Sequence, residues 1–159
     1  MNAIVAVDNN WCIGKDNELL FHIKDDLKRF KALTTGNIVV MGRKTFESLP
    51  IKPLPNRINV VITSNKDFVY PNVITLHDIK DVKKLFKNKK IFIIGGEQIY
   101  NQFLKHCDNI YVTKIQASGN GNKFFPNLDN DSRFHARLLV SAKENDLKYQ
   151  YFIYKRVMK

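Results

Sequence analysis

Apolar residues occur along this chain in two patterns that alternate with each other. Short unbroken runs rich in β-branched residues are typical of strands, whereas apolar positions that recur every three or four residues are typical of amphipathic helices. The unbroken runs predict eight strands, at Ala3–Val7, Ile38–Met41, Ile58–Thr63, Val73–Leu76, Ile91–Ile94, Ile110–Ile115, Arg137–Ala142 and Tyr149–Val157. The periodic stretches predict four helices, at Asp25–Leu33, Thr45–Leu49, Ile79–Phe86 and Glu97–Leu104.

The order of these elements predicts an α/β fold. Strands that are apolar at every position, such as Ile91–Ile94, and that alternate with helices belong to mainly parallel sheets covered on both faces. The last three strands follow one another without helices, with loop-like composition at Gly119–Asn122 and Asn127–Ser132, so we expect an antiparallel edge there. We therefore predict a single domain over residues 1–159, with an eight-stranded, mainly parallel sheet and an antiparallel C-terminal edge, flanked by four helices.

Composition restricts the class of protein further. The chain is 44% hydrophobic and 26% charged without a long biased tract, which is the balance of a globular protein that can bury a core. No apolar run has the length of a membrane span, and the first residues lack the features of a secretory signal. Cys12 and Cys107 do not suggest a disulfide framework. We expect a monomer in the cytoplasm, without a metal ion and without membrane contact.

The net charge of +11 favours anionic partners but does not choose among them. The densest basic stretch, Lys80–Lys90, has lysines and apolar residues at helical spacing, which indicates one solvated and one apolar face. The lysines are Lys83, Lys84 and Lys87, and the apolar residues are Val82, Leu85 and Phe86. No aromatic residues suited to stacking on bases accompany them, so we expect no nucleic-acid partner.

Two strands run directly into glycine and then into a helix. Ligands of open α/β sheets bind at such carboxyl ends of strands, where backbone donors are free. In the first turn Gly42 is followed by Arg43, Lys44 and Thr45, a combination suited to phosphate groups. In the second, Gly95-Gly96 leaves the backbone open to a ligand, although a plain tight turn explains the pair equally well. Neither turn is a Rossmann or P-loop motif.

One carboxylate lies where a charge is unexpected. A helix that starts near Asp25 has Asp26 on its apolar side, with Leu27, Phe30 and Leu33, while Asp25 points outward. We expect Asp25 to cap the helix and its replacement by Asn to change little. Burial of Asp26 among apolar groups predicts a raised pKa, which is typical of a functional group.

Six motifs recur at characteristic spacings, Ile13–Asn17, Asp26–Lys31, Met41–Ser48, Pro53–Arg57, Ile94–Gly96 and Phe124–Pro126. In their order and spacing they resemble the dihydrofolate reductase family, in its bacterial form, over essentially the whole chain. The resemblance implies NADPH as the cofactor, hydride transfer to C6 of 7,8-dihydrofolate and protonation at N5, giving the tetrahydrofolate of one-carbon metabolism. It also implies binding of antifolate inhibitors.

The same resemblance implies roles for individual residues. Asp26 would hold the amino group and ring nitrogen of the pterin, supported by Thr113, with Phe21 nearby in the catalytic set. Arg57 would bind the glutamate carboxylate, and Arg43 and Ser64 would favour the 2′-phosphate of NADPH. The remaining folate pocket would consist of Ile4, Val5, Ala6, Leu27, Phe30, Leu49, Leu54 and Ile94. The cofactor site would consist of Ala6, Ile13, Gly14, Arg43, Lys44, Thr45, Thr63, Ser64, Gly95, Gly96, Gln98, Ile99, Tyr100 and Gln102.

Four positions depart from the family pattern. Phe21 stands where tryptophan is usual, and a phenyl ring cannot donate a hydrogen bond to a water near the pterin. Leu20 replaces a proline, Asn122 replaces an aspartate that helps to hold the active-site loop closed, and Gln98 removes a cation near the cofactor phosphates. These departures bear on efficiency and inhibitor sensitivity more than on the type of reaction.

Two other functions stay open at this point. A reductase of riboflavin biosynthesis would share the fold and NADPH but act on a ribosylated pyrimidine, and Asp26 with Arg57 argues against it. A basic nucleic-acid-binding module is the alternative from a different class.

Overall fold

A computed structural model describes residues 1–15, 18–19 and 21–157 of the chain. Within these ranges eleven strands form two sheets. Their bounds are β1 (Asn2–Val7), β2 (Cys12–Lys15), β3 (Glu18–Leu19), β4 (Ile38–Gly42), β5 (Ile58–Ile62), β6 (Val73–Leu76), β7 (Ile91–Gly95), β8 (Asn109–Ile115), β9 (Lys123–Phe124), β10 (Phe134–Glu144) and β11 (Leu147–Arg156).

Each predicted helix is present in the described part of the chain, with ends shifted by at most two residues. The bounds are α1 (Lys24–Thr34), α2 (Arg43–Ser48), α3 (Ile79–Leu85) and α4 (Glu97–Phe103). Two short 3-10 helices, Leu104–His106 and Leu128–Asn130, add to them, and the second lies in a segment predicted to be a loop. No helix among the described residues is long and apolar enough to cross a membrane.

The main sheet has the strand order β10-β11-β8-β1-β7-β4-β5-β6. Strands β1, β4, β5, β6, β7 and β8 pair in parallel, whereas β11 runs antiparallel to β8 and β10 antiparallel to β11. The predicted eight-stranded, mainly parallel sheet with an antiparallel C-terminal edge is confirmed. The last strand of the chain lies inside the sheet, and β10 forms the edge.

Helices cover both faces of this sheet, because successive strand residues point to opposite faces. On one face Val5 of β1 belongs to the core cluster that contains Val82 of α3 and Phe103 of α4. On the other face Phe46 of α2 is buried in a second cluster, against which Leu33 of α1 packs. Helices α1 and α2 therefore share one face of the sheet, and α3 and α4 share the other.

The lysine-rich stretch of α3 forms one solvated and one apolar face, with one exception. Val82 and Phe86 are buried and the three lysines are exposed, but Leu85 is 55% exposed. The helix ends at Leu85, and Phe86 turns into the core after it, so the prediction of Leu85 as an apolar contact was wrong.

A second, three-stranded sheet is absent from the prediction. Its order is β3-β2-β9, with Gly14 paired with both Leu19 and Lys123. Strands of two to four residues are too short to show a hydrophobic period, and the pairing of β2 with β9 joins segments more than a hundred residues apart.

Candidate active site

The site begins where α1 meets β8. Thr113 is 3% exposed, and its Oγ1 donates a hydrogen bond of 2.6 Å to Oδ1 of Asp26, in the first turn of α1. The contact between the two residues follows the prediction. On the neighbouring strand Ala6 is the register partner of Thr113, so β1 borders the same place.

The environment of Asp26 favours its neutral form. Burial is the largest effect and raises the pKa of the carboxyl, while the hydrogen bond from Thr113 and the positive charge of Arg29 lower it. The negative charge of Asp25 raises it again. The net result is a raised pKa, as predicted, and such a shift in a partly buried carboxyl is typical of functional groups.

Asp25 does not have the role predicted for it. The N-cap of α1 is Ile23, which makes no side-chain capping bond, and the helix begins at Lys24. The Oδ2 atom of Asp25 instead accepts hydrogen bonds from the hydroxyls of Tyr151, at 2.8 Å, and Tyr149, at 3.1 Å. The expectation of a simple cap was wrong, because partners from β11 reach this carboxylate.

Four of the residues predicted for the folate pocket form one apolar surface. Ile4, Leu49, Leu54 and Ile94 are partly buried and pack against the core cluster around Phe46. Ala6 lies beside them on β1 and packs with Phe21 against a third cluster that contains Ile115.

Two other predicted pocket residues are placed differently. The side chain of Val5 belongs to the core cluster on the opposite face of the sheet and is 6% exposed, so it does not line this site. Leu27 is 49% exposed and does not share the partly buried side of Asp26 and Phe30, contrary to the helical-face prediction. Side chains of consecutive helical residues point about 100° apart. This difference separates Leu27 from Asp26.

Arg57 is held by three neighbours near the end of α1. Its Nε donates to the carbonyl of Pro55 at 2.9 Å, and Nη1 donates to Oγ1 of Thr34 at 3.1 Å. The guanidinium carbon lies 5.9 Å from the ring centroid of Phe30. Burial lowers the pKa of Arg57, and because two of its five donors are used in these bonds, a carboxylate can take others.

The two glycine turns come together because β4 and β7 are neighbours in the sheet. A Cβ at Gly96 would lie 3.3 Å from Oγ1 of Thr45, and one at Gly42 would lie 3.2 Å from Cγ1 of Ile99. Gly95 has a φ of 128°, which favours glycine, and the peptide bond to Gly96 is cis. Side chains at these positions would close the space between the turns.

The predicted phosphate ligands differ in their surroundings. Arg43 and Lys44 lie in the first turn of α2 and not before it, and the guanidinium of Arg43 pairs with Glu47 one turn later. Lys44 and Ser64 are exposed. Oγ1 of Thr63 accepts the backbone N–H of Asn65 at 3.1 Å.

Residues of α4 divide between surface and core. Gln98 and Gln102 are exposed, whereas Ile99 and Tyr100 are buried. The hydroxyl of Tyr100 donates to the carbonyl of Ile4 at 2.6 Å, which links α4 to β1. Burial raises the pKa of Tyr100, so this hydroxyl stays protonated.

Phe21 and Ile13 line a small cavity of about 20 Å³ together with Ala6 and Ile115. Gly14 is buried in β2, and its carbonyl accepts the backbone N–H of Asn122 at 3.0 Å. The segment after β8 therefore pairs with β2 through its backbone at Asn122. Leu20, which also departs from the family pattern, lies outside the described residues.

Several residues that shape this region have no signal in the sequence. Asp8 is 4% exposed and accepts the backbone N–H groups of Asn10, Cys12 and Gly119, which joins the segments on either side of the site. Glu97 accepts the N–H of Phe124 at 2.6 Å. A lone acidic residue after a strand or at the start of a helix gives no pattern, so only the tertiary structure reveals these contacts. Among the described residues no group of acidic, histidine or cysteine side chains is arranged to hold a metal ion.

The fold and the site together define an α/β protein with a partly buried carboxyl on α1 and two adjoining glycine turns at the ends of β4 and β7. Comparison with known proteins assigns the family. Residues 1–156 match the family model for dihydrofolate reductase. The chain is 37% identical to a dihydrofolate reductase of Bacillus subtilis, over 98% of this chain and 94% of that protein. It is 42% identical to one of Staphylococcus aureus, over 79% and 77% of the two chains.

A solved structure extends the likeness to three dimensions. A dihydrofolate reductase from Enterococcus faecalis, complexed with NADP(H) and RAB-propyl, superposes with a TM-score of 0.86 and 32% sequence identity, covering 98% of this chain and 95% of that one. The chain belongs to the dihydrofolate reductase family.

Proposed function

We infer that this chain reduces 7,8-dihydrofolate to 5,6,7,8-tetrahydrofolate with NADPH, the reaction after which its family is named, and thereby supplies one-carbon metabolism. The observation that carries this inference is the partly buried Asp26 carboxyl, bonded to Thr113, together with the apolar surface of Ile4, Leu49, Leu54 and Ile94, which suits a flat ring. The NADP(H) bound to the Enterococcus relative supports the choice of cofactor.

Asp26 holds the pterin in this proposal. A carboxylate accepts two parallel N–H bonds, which matches the amino group and adjacent ring nitrogen of the pterin. Thr113 fixes the orientation of the Asp26 carboxyl. The pKa of this carboxyl is raised, so a hydrogen-bond donor on the ligand would stabilise its ionised form. Phe21 contributes apolar surface here and no hydrogen bond.

The rest of dihydrofolate contacts apolar residues and one cation. Phe30, Leu27 and the backbone of Val5 border the ring, and Arg57 binds the glutamate carboxylate at the far end. The apolar surface consists of Ile4, Ala6, Leu49, Leu54 and Ile94. These contacts keep water from the ring, which strengthens the polar contact at Asp26.

The glycine turns fit a dinucleotide. The space between Gly96 and Thr45 is one that a Cβ would fill, and it leaves bare backbone next to the cations Arg43 and Lys44. Ser64 adds a hydroxyl for the 2′-phosphate. The other residues assigned to this site are Ala6, Ile13, Gly14, Thr63, Gly95, Gln98, Ile99, Tyr100 and Gln102.

Catalysis in this site is largely positioning. NADPH, when bound, supplies the hydride that reaches C6 of the substrate. The chain's own residues orient the two rings and exclude water, which together lower the barrier by pre-arranging the reacting atoms.

We further propose that residues 1–159 act as a single-domain monomer in the cytoplasm and that antifolate inhibitors bind at Asp26. The eight strands of the main sheet share one body, which supports a single domain, and Cys12 and Cys107 are free and buried, which fits a reducing compartment. Light scattering after size exclusion tests the monomer, and a dimer mass would overturn it.

The test of the function is direct. Purified protein with NADPH and dihydrofolate should lose absorbance at the nicotinamide band, and a ribosylated pyrimidine in place of dihydrofolate should give no loss. A flat trace with dihydrofolate, from protein whose circular dichroism shows that it is folded, overturns the inference.

A further inference from the structure

The helix that carries Asp26 is fastened from outside at its first turn. The N-cap residue of this helix is Ile23, whose side chain has no atom that can accept a hydrogen bond. The free N–H groups of the first turn, which a capping side chain usually binds, therefore need another acceptor. The carboxylate of Glu144, at the end of β10, takes this place by accepting Lys24 N at 3.1 Å and Asp25 N at 3.4 Å. The start of α1 therefore depends on the C-terminal hairpin.

A second attachment uses the two tyrosines of β11. Tyr149 and Tyr151 lie two residues apart, so their side chains share one face of the strand. Their hydroxyls both donate to Oδ2 of Asp25, and the two side chains are 3% and 6% exposed. Burial, together with the charge of Asp25, raises the pKa of both tyrosines, so both remain donors at neutral pH.

The register of the sheet connects these contacts to the site. Tyr151 is the register partner of Thr113 across β11 and β8. Two facing residues of neighbouring strands thus hold two consecutive aspartates of α1, Tyr151 holding Asp25 and Thr113 holding Asp26. Consecutive residues differ by about 100° around a helix axis. Bonds at both positions therefore oppose rotation of the helix about its axis.

Tyr151 also places a charge beside Asp26. The guanidinium carbon of Arg29 lies 4.0 Å from the centroid of the Tyr151 ring, a favourable cation–π distance. One side chain thus uses its hydroxyl for Asp25 and its ring for Arg29. The ionisable and donor groups that influence Asp26 are Asp25 and Arg29 on α1, Thr113 on β8, Tyr149 and Tyr151 on β11, and Tyr100 on α4.

We propose that Asp25, Tyr149 and Tyr151 are positioning residues that fix the rotation of α1 and thereby hold the Asp26 carboxyl against Thr113 in the geometry that the reaction needs. This proposal rests on the proposed function only in that turnover of dihydrofolate is used to detect a displaced Asp26 carboxyl. The titration of Asp26 can be followed in protein without ligand, so this part of the proposal is measured without turnover.

The experiment compares a double variant, Tyr149→Phe with Tyr151→Phe, with Asp25→Asn and with a matched control. The control is Tyr154→Phe, because Tyr154 is buried on the other face of β11 and also donates to an aspartate, Asp129, at 2.6 Å. The titration of the Asp26 carboxyl is followed by carbon NMR in protein without ligand, and kcat is measured with NADPH and dihydrofolate.

In the double variant the bond between Thr113 and Asp26 loosens, so the titration midpoint of Asp26 should move to higher pH. In Asp25→Asn the amide oxygen can still accept the tyrosine hydroxyls, so kcat should fall less than in the double variant, and loss of the neighbouring negative charge should move the midpoint to lower pH. In the double variant kcat should fall about 10- to 100-fold, the scale of a small displacement of a reacting group. Tyr154→Phe should lower the melting temperature about as much as the double variant does, but it should change neither kcat nor the titration midpoint of Asp26.

An unchanged midpoint or an unchanged kcat in the double variant overturns the proposal, as do equal effects in the control. If the double variant does not fold, Tyr151→Phe, which keeps the ring under Arg29, replaces it with the same expected directions. An absence of turnover in the unmodified protein refutes the proposed function, whereas the NMR titration still decides whether the tyrosines position Asp26.

Discussion

Thr113 lies within hydrogen-bond distance of Asp26, with 2.6 Å between Oγ1 and Oδ1. This bond joins the first turn of α1 to a buried position of β8. It gives the partly buried carboxyl of Asp26 a hydrogen-bond donor from the protein. Because a buried polar group is stabilised by its partner and destabilised without one, both residues are sensitive to replacement.

Replacement of Asp26 by Asn should reduce kcat/KM for dihydrofolate by about 100-fold or more at pH 7, since one of the two acceptor oxygens becomes a donor. The affinity for NADPH, measured by fluorescence quenching, should change by less than about twofold, the range of remote substitutions. Asp129→Asn, which alters a carboxylate bonded to Tyr154 and Lys114, serves as the control. Equal loss of activity in both variants would contradict the role of Asp26.

The raised pKa of Asp26 predicts a specific dependence of stability on pH. For a carboxyl whose folded pKa exceeds its unfolded value, the contribution to stability is complete below the unfolded pKa and is lost as the pH rises through the folded pKa. Asn does not titrate, so the unfolding free energy of Asp26→Asn relative to the unmodified protein should increase from acid to neutral pH. Urea denaturation at several pH values measures this difference.

Asp129 provides the contrast of opposite sign. Burial alone would raise the pKa of Asp129, but hydrogen bonds from Lys114 and Tyr154 outweigh it and lower the pKa. Its contribution to stability is therefore present above the unfolded pKa and lost as the pH falls through the folded pKa. The same slope for Asp26→Asn and Asp129→Asn would refute the assignment of a raised pKa to Asp26.

Arg57→Lys should raise KM for dihydrofolate about 10- to 100-fold with little change in kcat, because an ammonium cannot form the planar two-bond contact with a carboxylate. Dihydropteroate, which lacks the glutamate, provides the matched substrate control. The variant and the unmodified protein should have the same KM for it. A KM that rises equally with both substrates would place Arg57 outside the glutamate contact.

Gly96→Ala should weaken NADPH binding, because the new Cβ would lie 3.3 Å from Oγ1 of Thr45 and fill the space between the turns. Thr45→Ala removes that oxygen, so the double variant should bind NADPH no worse than Thr45→Ala alone. Isothermal calorimetry on the four proteins gives the coupling between the two positions. Additive losses would show that the two turns do not meet at the cofactor.

The sequence by itself determined the parts of this protein that depend on local pattern. Strand and helix positions followed from hydrophobic spacing, and the position of Asp26 on α1 followed from helical phase, because both properties repeat over a few residues. The resemblance of six motifs led to the family. Arg57 and Thr113, far from Asp26 in sequence, came from that resemblance and not from any local period.

Only the tertiary structure decided how distant segments meet. The inner position of β11, the small sheet of β2, β3 and β9, the pairing of Arg43 with Glu47 and the exposure of Leu27 could not be read from the chain. The same holds for Asp25, which sequence assigned to a cap and which the fold joins to Tyr149 and Tyr151. A hydrogen bond across 126 residues depends on strand register and burial, and neither leaves a periodic trace in the sequence.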